Sequence, residues 1–363
     1  MKRLLLVAVF MFAVLLPFSL FCSPALAKVA LNGDLEIDTS YLSTDDDDAD
    51  RNDTISNTGQ QTNTYDLAGR IRVVPGIRKE SGRLFMEAKA EILAQLDGDV
   101  TVDDAWGKIG TSLVDFQIGR WEAWDLFYKS NDMLIIDAPN GPTRYETNFA
   151  RGRFGAPGQA AIHFFPAEAL GFEVGAVYGN ELDDDDDDDD ANNKIGVRPV
   201  LDVKLGNFNL FGGVEYVRTE CTIDDDSIES LKESTQFGYG GRLQAVFGIA
   251  TLNLQYAHGI AGGKDDLGVE LADETTDSSG ALLDLGMGSS VLTIGSFFTT
   301  WEQDNNDYGK DHFQYYAAYA HPLPINGATI KFALAYATSR EETAGDDIES
   351  DALGFKMRLN YDF

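Results

Sequence analysis

Aromatic and charged residues suited to binding a polar solute are concentrated at residues 120–128, which read R-W-E-A-W-D-L-F-Y. The aromatic rings offer flat apolar platforms for the C–H faces of a sugar. The carboxylates can accept hydrogen bonds from sugar hydroxyls, and arginines elsewhere in the chain can donate them. The candidate binding residues are Arg70, Arg72, Arg120, Trp121, Glu122, Trp124, Asp125, Phe127, Tyr128, Arg151 and Arg153.

A plainer interpretation of the same residues stays open. The rings can serve only to pack their segment against the rest of the protein, because large apolar groups favour burial. The arginines, to which Arg198 and Arg242 also belong, can pair with acids such as Glu87, Glu91 and Asp202. In that case none of these residues meets a solute.

Residues typical of an active site are missing from the sequence. The four histidines, His163, His258, His312 and His321, lack the spacing of metal ligands. Acidic neighbours of Cys221 disfavour the thiolate that a nucleophile requires. There is no serine elbow and no phosphate-binding loop, so we predict that the protein is not an enzyme and needs no cofactor.

The elements that would position the candidate residues are strands, because apolar residues alternate with polar ones along most of the chain. Hydrophobic residues make up 44% of the sequence but are dispersed in this alternation. The pattern predicts an all-β transmembrane antiparallel barrel in which lipid meets every second residue. We predict about sixteen strands, near residues 30–42, 64–74, 83–93, 103–110, 113–120, 150–165, 171–179, 195–205, 208–218, 236–247, 250–258, 280–287, 291–301, 312–320, 328–338 and 352–363.

The connections between these strands alternate in length, as they do in membrane barrels with short periplasmic turns and long external loops. Sixteen strands leave an aqueous lumen, whereas eight would be filled by side chains. The connection 121–149 is unusual, because it carries many aromatic residues and the apolar run 133–136. Such a composition is uncommon in a loop exposed to water, so we expect this loop to fold back into the barrel.

The last strand alternates strictly, with Phe355, Met357, Leu359, Tyr361 and Phe363 on one face. A soluble strand can show the same alternation. Together with the export signal described next, it resembles the closing strand of bacterial outer-membrane barrels. That resemblance implies that Phe363 is read by the barrel-assembly machinery.

The first 27 residues have the layout of a signal peptide. Lys2 and Arg3 precede the apolar run 4–21, and an A-L-A sequence ending at Ala27 provides a cleavage site. An uncleaved membrane anchor is the alternative, because the run is long enough to span a bilayer. We predict cleavage, with residues 28–363 forming the barrel domain.

The strongly acidic composition excludes nucleic acid as a partner. The net charge is −32, and removal of Lys2 and Arg3 with the signal peptide lowers it to −34. Binding to phosphates needs clustered lysine and arginine. A negative external mouth would instead concentrate cations.

Aspartate runs fall within the predicted external loops. They comprise Asp45, Asp46, Asp47 and Asp48, and Asp183 with the seven aspartates that follow it through Asp190. Runs of like charge are usually solvated. The alternatives are a cation-gathering mouth, or divalent cations that bridge these loops to lipopolysaccharide phosphates.

Residues 104–110, 117–127 and 148–153 resemble the raffinose-type glycoporins, a carbohydrate porin family, over about a sixth of the mature chain. The segment 121–149 is also similar to the third loop of sixteen-stranded porins, which narrows their pore. These resemblances imply a homotrimeric channel for sugars. The long acidic loops are a departure from the glycoporins.

The sequence therefore leads us to expect a passive porin of the bacterial outer membrane, in contact with lipid and lipopolysaccharide, that passes small hydrophilic solutes and favours carbohydrates. A general or cation-selective porin is one alternative, motivated by the acidic charge. A structural or adhesive barrel whose acidic loops bind divalent ions or surfaces is another.

Overall fold

The structure, a computed structural model, describes residues 27–46, 60–129, 136–151, 158–182, 191–225, 228–264, 269–304, 308–342 and 347–363. The predicted signal peptide, apart from Ala27, lies outside the described residues. Across the described ranges, no helix is both long enough and apolar enough to cross a membrane.

Sixteen antiparallel strands form a closed barrel, which confirms the fold predicted from the alternation. Each strand pairs with its neighbours in sequence, and the first strand pairs with the last. The strands are β1 (Lys28–Asp46), β2 (Gln60–Ser81), β3 (Leu84–Gln95), β4 (Val100–Gly110), β5 (Val114–Arg120), β6 (Gly158–Ala167), β7 (Leu170–Leu182), β8 (Ala191–Leu205), β9 (Phe208–Asp225), β10 (Ile228–Phe247), β11 (Ala250–Lys264), β12 (Glu274–Met287), β13 (Ser290–Gln303), β14 (Gly309–Pro322), β15 (Ala328–Glu342) and β16 (Asp347–Asp362).

The outer face of the barrel is apolar and the inner face is polar. On β7, Phe172 and Val174 are exposed on the outside, whereas Glu173 between them is buried inside. This alternation places an apolar surface against membrane lipid and polar groups around the lumen. The ring closes where the N–H groups of Gly33 and Phe363 each donate to the other's carbonyl, at 3.0 and 2.9 Å.

The two ends of the barrel differ in their connections. Two-residue turns join β8 to β9, β10 to β11 and β12 to β13, and Gly206, Gly248 and Gly288 in these turns have φ of 61°, 61° and 67°. Glycine adopts this left-handed conformation without steric cost, which permits a tight hairpin. The third connection at the opposite, external end joins β5 to β6 through residues 121–157.

Several predicted strand boundaries are wrong, two of them by eight residues. The sixth strand was expected from residue 150 but begins at Gly158, because the backbone around residue 150 is bound to the barrel wall. The predicted long connection 220–235 is mostly strand, since β9 extends to Asp225 and β10 starts at Ile228. β-Branched residues such as Thr222 favour the extended backbone there.

Candidate pore constriction

The connection between β5 and β6 folds into the lumen. Its described residues, 121–129 and 136–151, contact inward-facing side chains on strands from β7 round to β15. Successive side chains of a strand point to opposite faces, so these wall residues face inward and their sequence neighbours face lipid. Glu215, for example, is buried between the exposed Val214 and Tyr216.

Arg198 on β8 joins the two limbs of this loop. Its Nη2 donates to the carbonyl of Trp124 at 2.8 Å, and its Nε donates to the carbonyl of Thr147 at 2.9 Å. Glu173 on β7 lies 3.6 Å from Arg198 Nη1 and accepts the N–H of Trp124 at 3.1 Å. Both wall side chains are only 1% exposed, so each charge is compensated inside the protein rather than by water.

A buried histidine contacts Glu173 through Oε2, the carboxylate oxygen other than the one near Arg198. His163 on β6 contacts Glu173 through Nε2 at 3.1 Å and Asp115 on β5 through Nδ1 at 2.6 Å. Lys108 Nζ lies 3.7 Å from the same Asp115 carboxylate. This polar network fixes the orientation of the carboxylate that receives the loop.

The returning limb is bound by Glu215 on β9. Its carboxylate accepts hydrogen bonds from the Tyr145 hydroxyl and from the backbone N–H groups of Phe149 and Ala150, the latter two at 3.3 and 3.0 Å. Burial, with the nearby negative charge of Glu215, raises the pKa of the Tyr145 phenol. The hydroxyl therefore stays protonated and remains a donor.

Glycines on β10 and β11 make room for this limb. A Cβ at Gly238 would lie 1.9 Å from Tyr145 Oη, one at Gly240 would lie 2.3 Å from Thr147 Oγ1, and one at Gly259 would lie 2.9 Å from the Tyr145 ring. Side chains at these positions would push the loop from the wall.

The far part of the loop reaches β11 to β15. Gln255 both donates to the Tyr128 carbonyl and accepts its N–H, each at 2.8 Å. The Ala138 N–H donates to His312 Nε2 at 3.3 Å, and the hydroxyl of Ser339 donates to the Pro139 carbonyl. The loop is thus attached along an arc covering more than half of the barrel.

The aromatic residues of the loop divide into buried and accessible ones. Trp121 is 5% exposed and Phe127 1%, so the expectation that both rings form a platform for solute does not fit the structure. Phe127 packs on Phe297 of β13 with ring centroids 5.7 Å apart. Trp124 and Tyr128 remain partly exposed.

Most of the charged candidate residues near the loop form ion pairs or hydrogen bonds within the protein. Arg151 pairs with Glu122 at 2.8 Å and Asp125 at 3.3 Å, and its Nε donates to the Ala123 carbonyl at 3.0 Å. Arg120 donates to the carbonyl of Asp103. Arg153 lies outside the described residues.

Arg70 and Arg72 lie on β2, which is diametrically opposite β10 in a ring of sixteen strands. Arg72 pairs with Asp34 and with Glu91, and Arg70 lies 3.7 Å from Glu36. The pairing with Glu91 is the one that the plainer interpretation anticipated. The Arg72 side chain is 36% exposed and its two acidic partners only 5%, so the positive groups face the lumen.

Several residues that anchor the loop were not among the candidate residues named from the sequence. For some of them the signal was a charged or amide side chain in an otherwise apolar strand, as in F-E-V around Glu173, whereas the two serines lie in polar stretches. In a barrel, that alternation indicates only that the residue faces inward. The anchors missed in this way are Asp115, His163, Glu173, Glu215, Gln255, Ser278, His312 and Ser339.

The possible divalent sites at the aspartate runs remain expectations. Among the described residues, no group of three or more His, Cys, Asp or Glu side chains converges to hold a metal ion. Asp45 is exposed on β1, and the Asp46 backbone lies at the end of that strand. Asp47, Asp48 and the run from Asp183 to Asp190 lie outside the described residues.

A closed sixteen-stranded barrel with a loop attached inside its lumen has the architecture of a membrane channel. The family model for Gram-negative porins matches residues 12–344, so the chain belongs to the Gram-negative porin family and to the bacterial outer membrane. No curated protein sequence matches the chain. Proteins of this family and fold are channels rather than enzymes.

Solved outer-membrane structures share the fold. The loop L8 deletion mutant of OmpT from Vibrio cholerae has a TM-score of 0.65 at 13% identity, covering 93% of this chain and 99% of that chain. The trimer form of OmpT, folded in vitro, has a TM-score of 0.63 at 13% identity, with the same coverage. An anion-selective porin from Comamonas acidovorans has a TM-score of 0.60 at 14% identity, covering 93% and 100%.

Proposed function

We propose that this porin is a passive channel for small hydrophilic solutes, with carbohydrates preferred, and that the loop 121–149 narrows its water-filled pore. One observation carries the proposal: buried wall residues attach the loop inside the lumen, and polar and aromatic loop side chains remain open to it. The accessible residues are Glu122, Trp124, Asp125 and Tyr128.

The preference for carbohydrates rests on the chemistry of these side chains. Trp124 and Tyr128 offer ring surface for the C–H face of a sugar, and the carboxylates of Glu122 and Asp125 accept hydrogen bonds from its hydroxyls. Arg151 pairs with both carboxylates and offsets part of their charge. The likeness to raffinose-type glycoporins is part of this proposal.

A general or cation-selective porin is the second candidate. The loop places exposed acids at its edge, since the side chains of Glu122 and Asp137 are 52% and 55% exposed. Across the lumen, the basic groups of Arg70 and Arg72 face inward. A field between opposed charges of this kind would sort ions and polar solutes without a sugar site.

We further propose that residues 1–27 are removed as a signal peptide, that residues 28–363 form the barrel, and that the assembly machinery reads Phe363. OmpT of Vibrio cholerae has a trimer form, and we propose a homotrimer for this chain as well. Lipid and lipopolysaccharide are the surroundings expected of its outer face.

Single-channel recording in planar bilayers with a panel of sugars tests the proposal. Current blockade that depends on sugar concentration supports a carbohydrate channel. Ion selectivity without blockade supports the second candidate. Absence of any conductance from correctly folded protein would contradict both and favour a structural barrel.

A further inference from the structure

A cavity of about 450 Å³ lies between the loop and the wall of the barrel. Aromatic side chains from the loop and from the wall line it, accompanied by one acid, Glu274, and two bases, Arg144 and Lys310. The lining includes Tyr145, Phe149, Glu274, Trp301, Tyr308 and Lys310.

The cavity lies on the external side of the constriction. Wall residues that contact the loop include Ser278 on β12 and His312 on β14, and both strands run inward from the external end. The next inward-facing positions toward the outside are Thr276 and Lys310, because side chains on one face recur every second residue. Both of these line the cavity, which therefore forms part of the outer vestibule.

Trp301 and Tyr308 form an aromatic corner within this cavity, in which the two rings stand nearly at right angles. Trp301 on β13 meets Tyr308 edge-on, with ring centroids 5.3 Å apart and an angle of 84° between the rings. The Tyr308 hydroxyl donates to Glu341 on β15, and the Trp301 indole N–H donates to Glu274 at 3.4 Å. These bonds hold both rings by their polar edges and leave each partly exposed.

The charges around this corner largely compensate one another. Lys310 lies 3.2 Å from Glu341 and 5.5 Å from the centre of the Tyr308 ring. Arg144, on the loop side, pairs with Glu146 at 3.2 Å. Flat rings beside hydrogen-bonding groups with little excess charge suit a neutral polyhydroxylated ring better than an ion.

We propose that Trp301 and Tyr308 form a binding subsite for neutral sugar rings in the outer vestibule, which a solute occupies before it reaches the loop. The inference rests on the proposed channel function. It adds a site that contains none of the candidate binding residues named from the sequence. Stacking on Trp301 would orient an oligosaccharide, while Glu274 and Lys310 contact its hydroxyls. Occupation of the subsite raises the local concentration of sugar above the constriction.

The test is sugar block of single channels, with maltotriose added from the external or the periplasmic side. Trp301→Ala should weaken block from the external side about fivefold, the effect of losing one aromatic contact. Trp301→Phe keeps a flat ring and should retain most of the block. Phe298→Ala is the matched control, because Phe298 faces lipid on the same strand and packs on Phe313.

The outcomes separate the subsite from the channel function. Equal block in wild type and Trp301→Ala would overturn the subsite and leave the carbohydrate channel intact. If the wild type shows no block or no conductance, tryptophan fluorescence of the detergent-solubilised trimer or monomer is titrated with maltotriose. Saturable quenching that Trp301→Phe removes supports the subsite, and its absence overturns it.

Discussion

Individual buried charges, rather than the aromatic residues alone, hold the loop in place inside the barrel. Glu215 and Arg198 are each 1% exposed in the barrel wall. A buried charge is destabilising unless it is compensated, and here the compensation comes largely from backbone groups of the loop. The buried charges of the wall and the backbone groups of the loop therefore stabilise each other. The buried charges would be unfavourable without the loop, and the loop would not stay inside the lumen without these charges.

Glu215→Gln should loosen the returning limb of the loop. The amide keeps the size of the side chain, but it loses the charge that strengthens three hydrogen bonds. Hydrogen bonds to a charged group contribute about 1.5–3 kcal/mol each, so we expect noisier single-channel currents and faster proteolysis within the loop. Glu36→Gln is the control, since Glu36 pairs with Arg70 and Arg358 on the other wall. Equal noise in both variants would contradict this role of Glu215.

Gly238→Ala should displace Tyr145, because the added methyl group would occupy the position of the phenol oxygen. The expected result is a change in single-channel conductance and loss of the Tyr145–Glu215 hydrogen bond. Gly212→Ala serves as the matched control on β9, where an added Cβ has no atom within 4 Å. Conductance that is unchanged in Gly238→Ala would show that Tyr145 does not rest on this glycine.

Single residues in the loop were the hardest to predict from the sequence. In a strand, parity decides whether a side chain faces lipid or lumen, but residues 121–129 have no such period. Trp121 and Trp124 therefore looked equivalent, although Trp121 is buried and Trp124 is partly exposed. The position of Trp124 depends on contacts with the distant residues His163 and Phe165, which no local pattern specifies.

At the scale of elements, the strands were predictable and the course of the loop only in part. Alternation and turn glycines are local signals, so they give sixteen strands and their order. The inward fold was predicted from composition and from the likeness to the third loop of sixteen-stranded porins. Its route depends on pairs such as Ala138 with His312, which are 174 residues apart. No local pattern specifies such a contact.

The two loop tryptophans should differ in their effects. Trp124→Ala removes accessible ring surface, so we expect sugar block to weaken severalfold, as for the loss of about 1 kcal/mol of aromatic contact. Trp121→Ala removes a buried ring, so we expect noisier currents and lower stability instead. Recording conductance and sugar block for both variants checks this. Identical effects on block would argue against Trp124 as a solute contact.

At the scale of the whole molecule, charge is distributed unevenly around the pore. The net charge is −32, yet the lumen wall at β2 presents arginines whose acidic partners are more deeply buried. The exposed acids Glu122 and Asp137 lie on the loop inside the barrel. Ion selectivity therefore depends on the balance between acidic external loops and a basic internal wall.

We predict a preference for cations at low salt that declines as salt increases. Screening lengths fall from about 30 Å at 0.01 M to about 10 Å at 0.1 M, so exposed external charges lose influence first. Reversal potentials in potassium chloride gradients measure this directly. Anion preference at low salt would mean that the basic wall outweighs the acidic mouth.

The most direct test of the central claim is a cross-link between loop and wall. A Cβ at Gly141 would lie 3.2 Å from the Cβ of Ser339 on β15, near the spacing of about 3.5–4.5 Å in disulfides. The double variant Gly141→Cys with Ser339→Cys is made in a Cys221→Ser background. Its control combines Gly141→Cys with Thr338→Cys, which places the second thiol on the outer face of the same strand.

The measurement is the shift in electrophoretic mobility after mild oxidation of the folded barrel in membranes. With the loop inside the lumen, the Ser339→Cys pair forms an intramolecular disulfide and the Thr338→Cys pair does not. A barrel in which both thiols of the Ser339→Cys pair react with a small alkylating reagent but never with each other would contradict a loop attached across the pore.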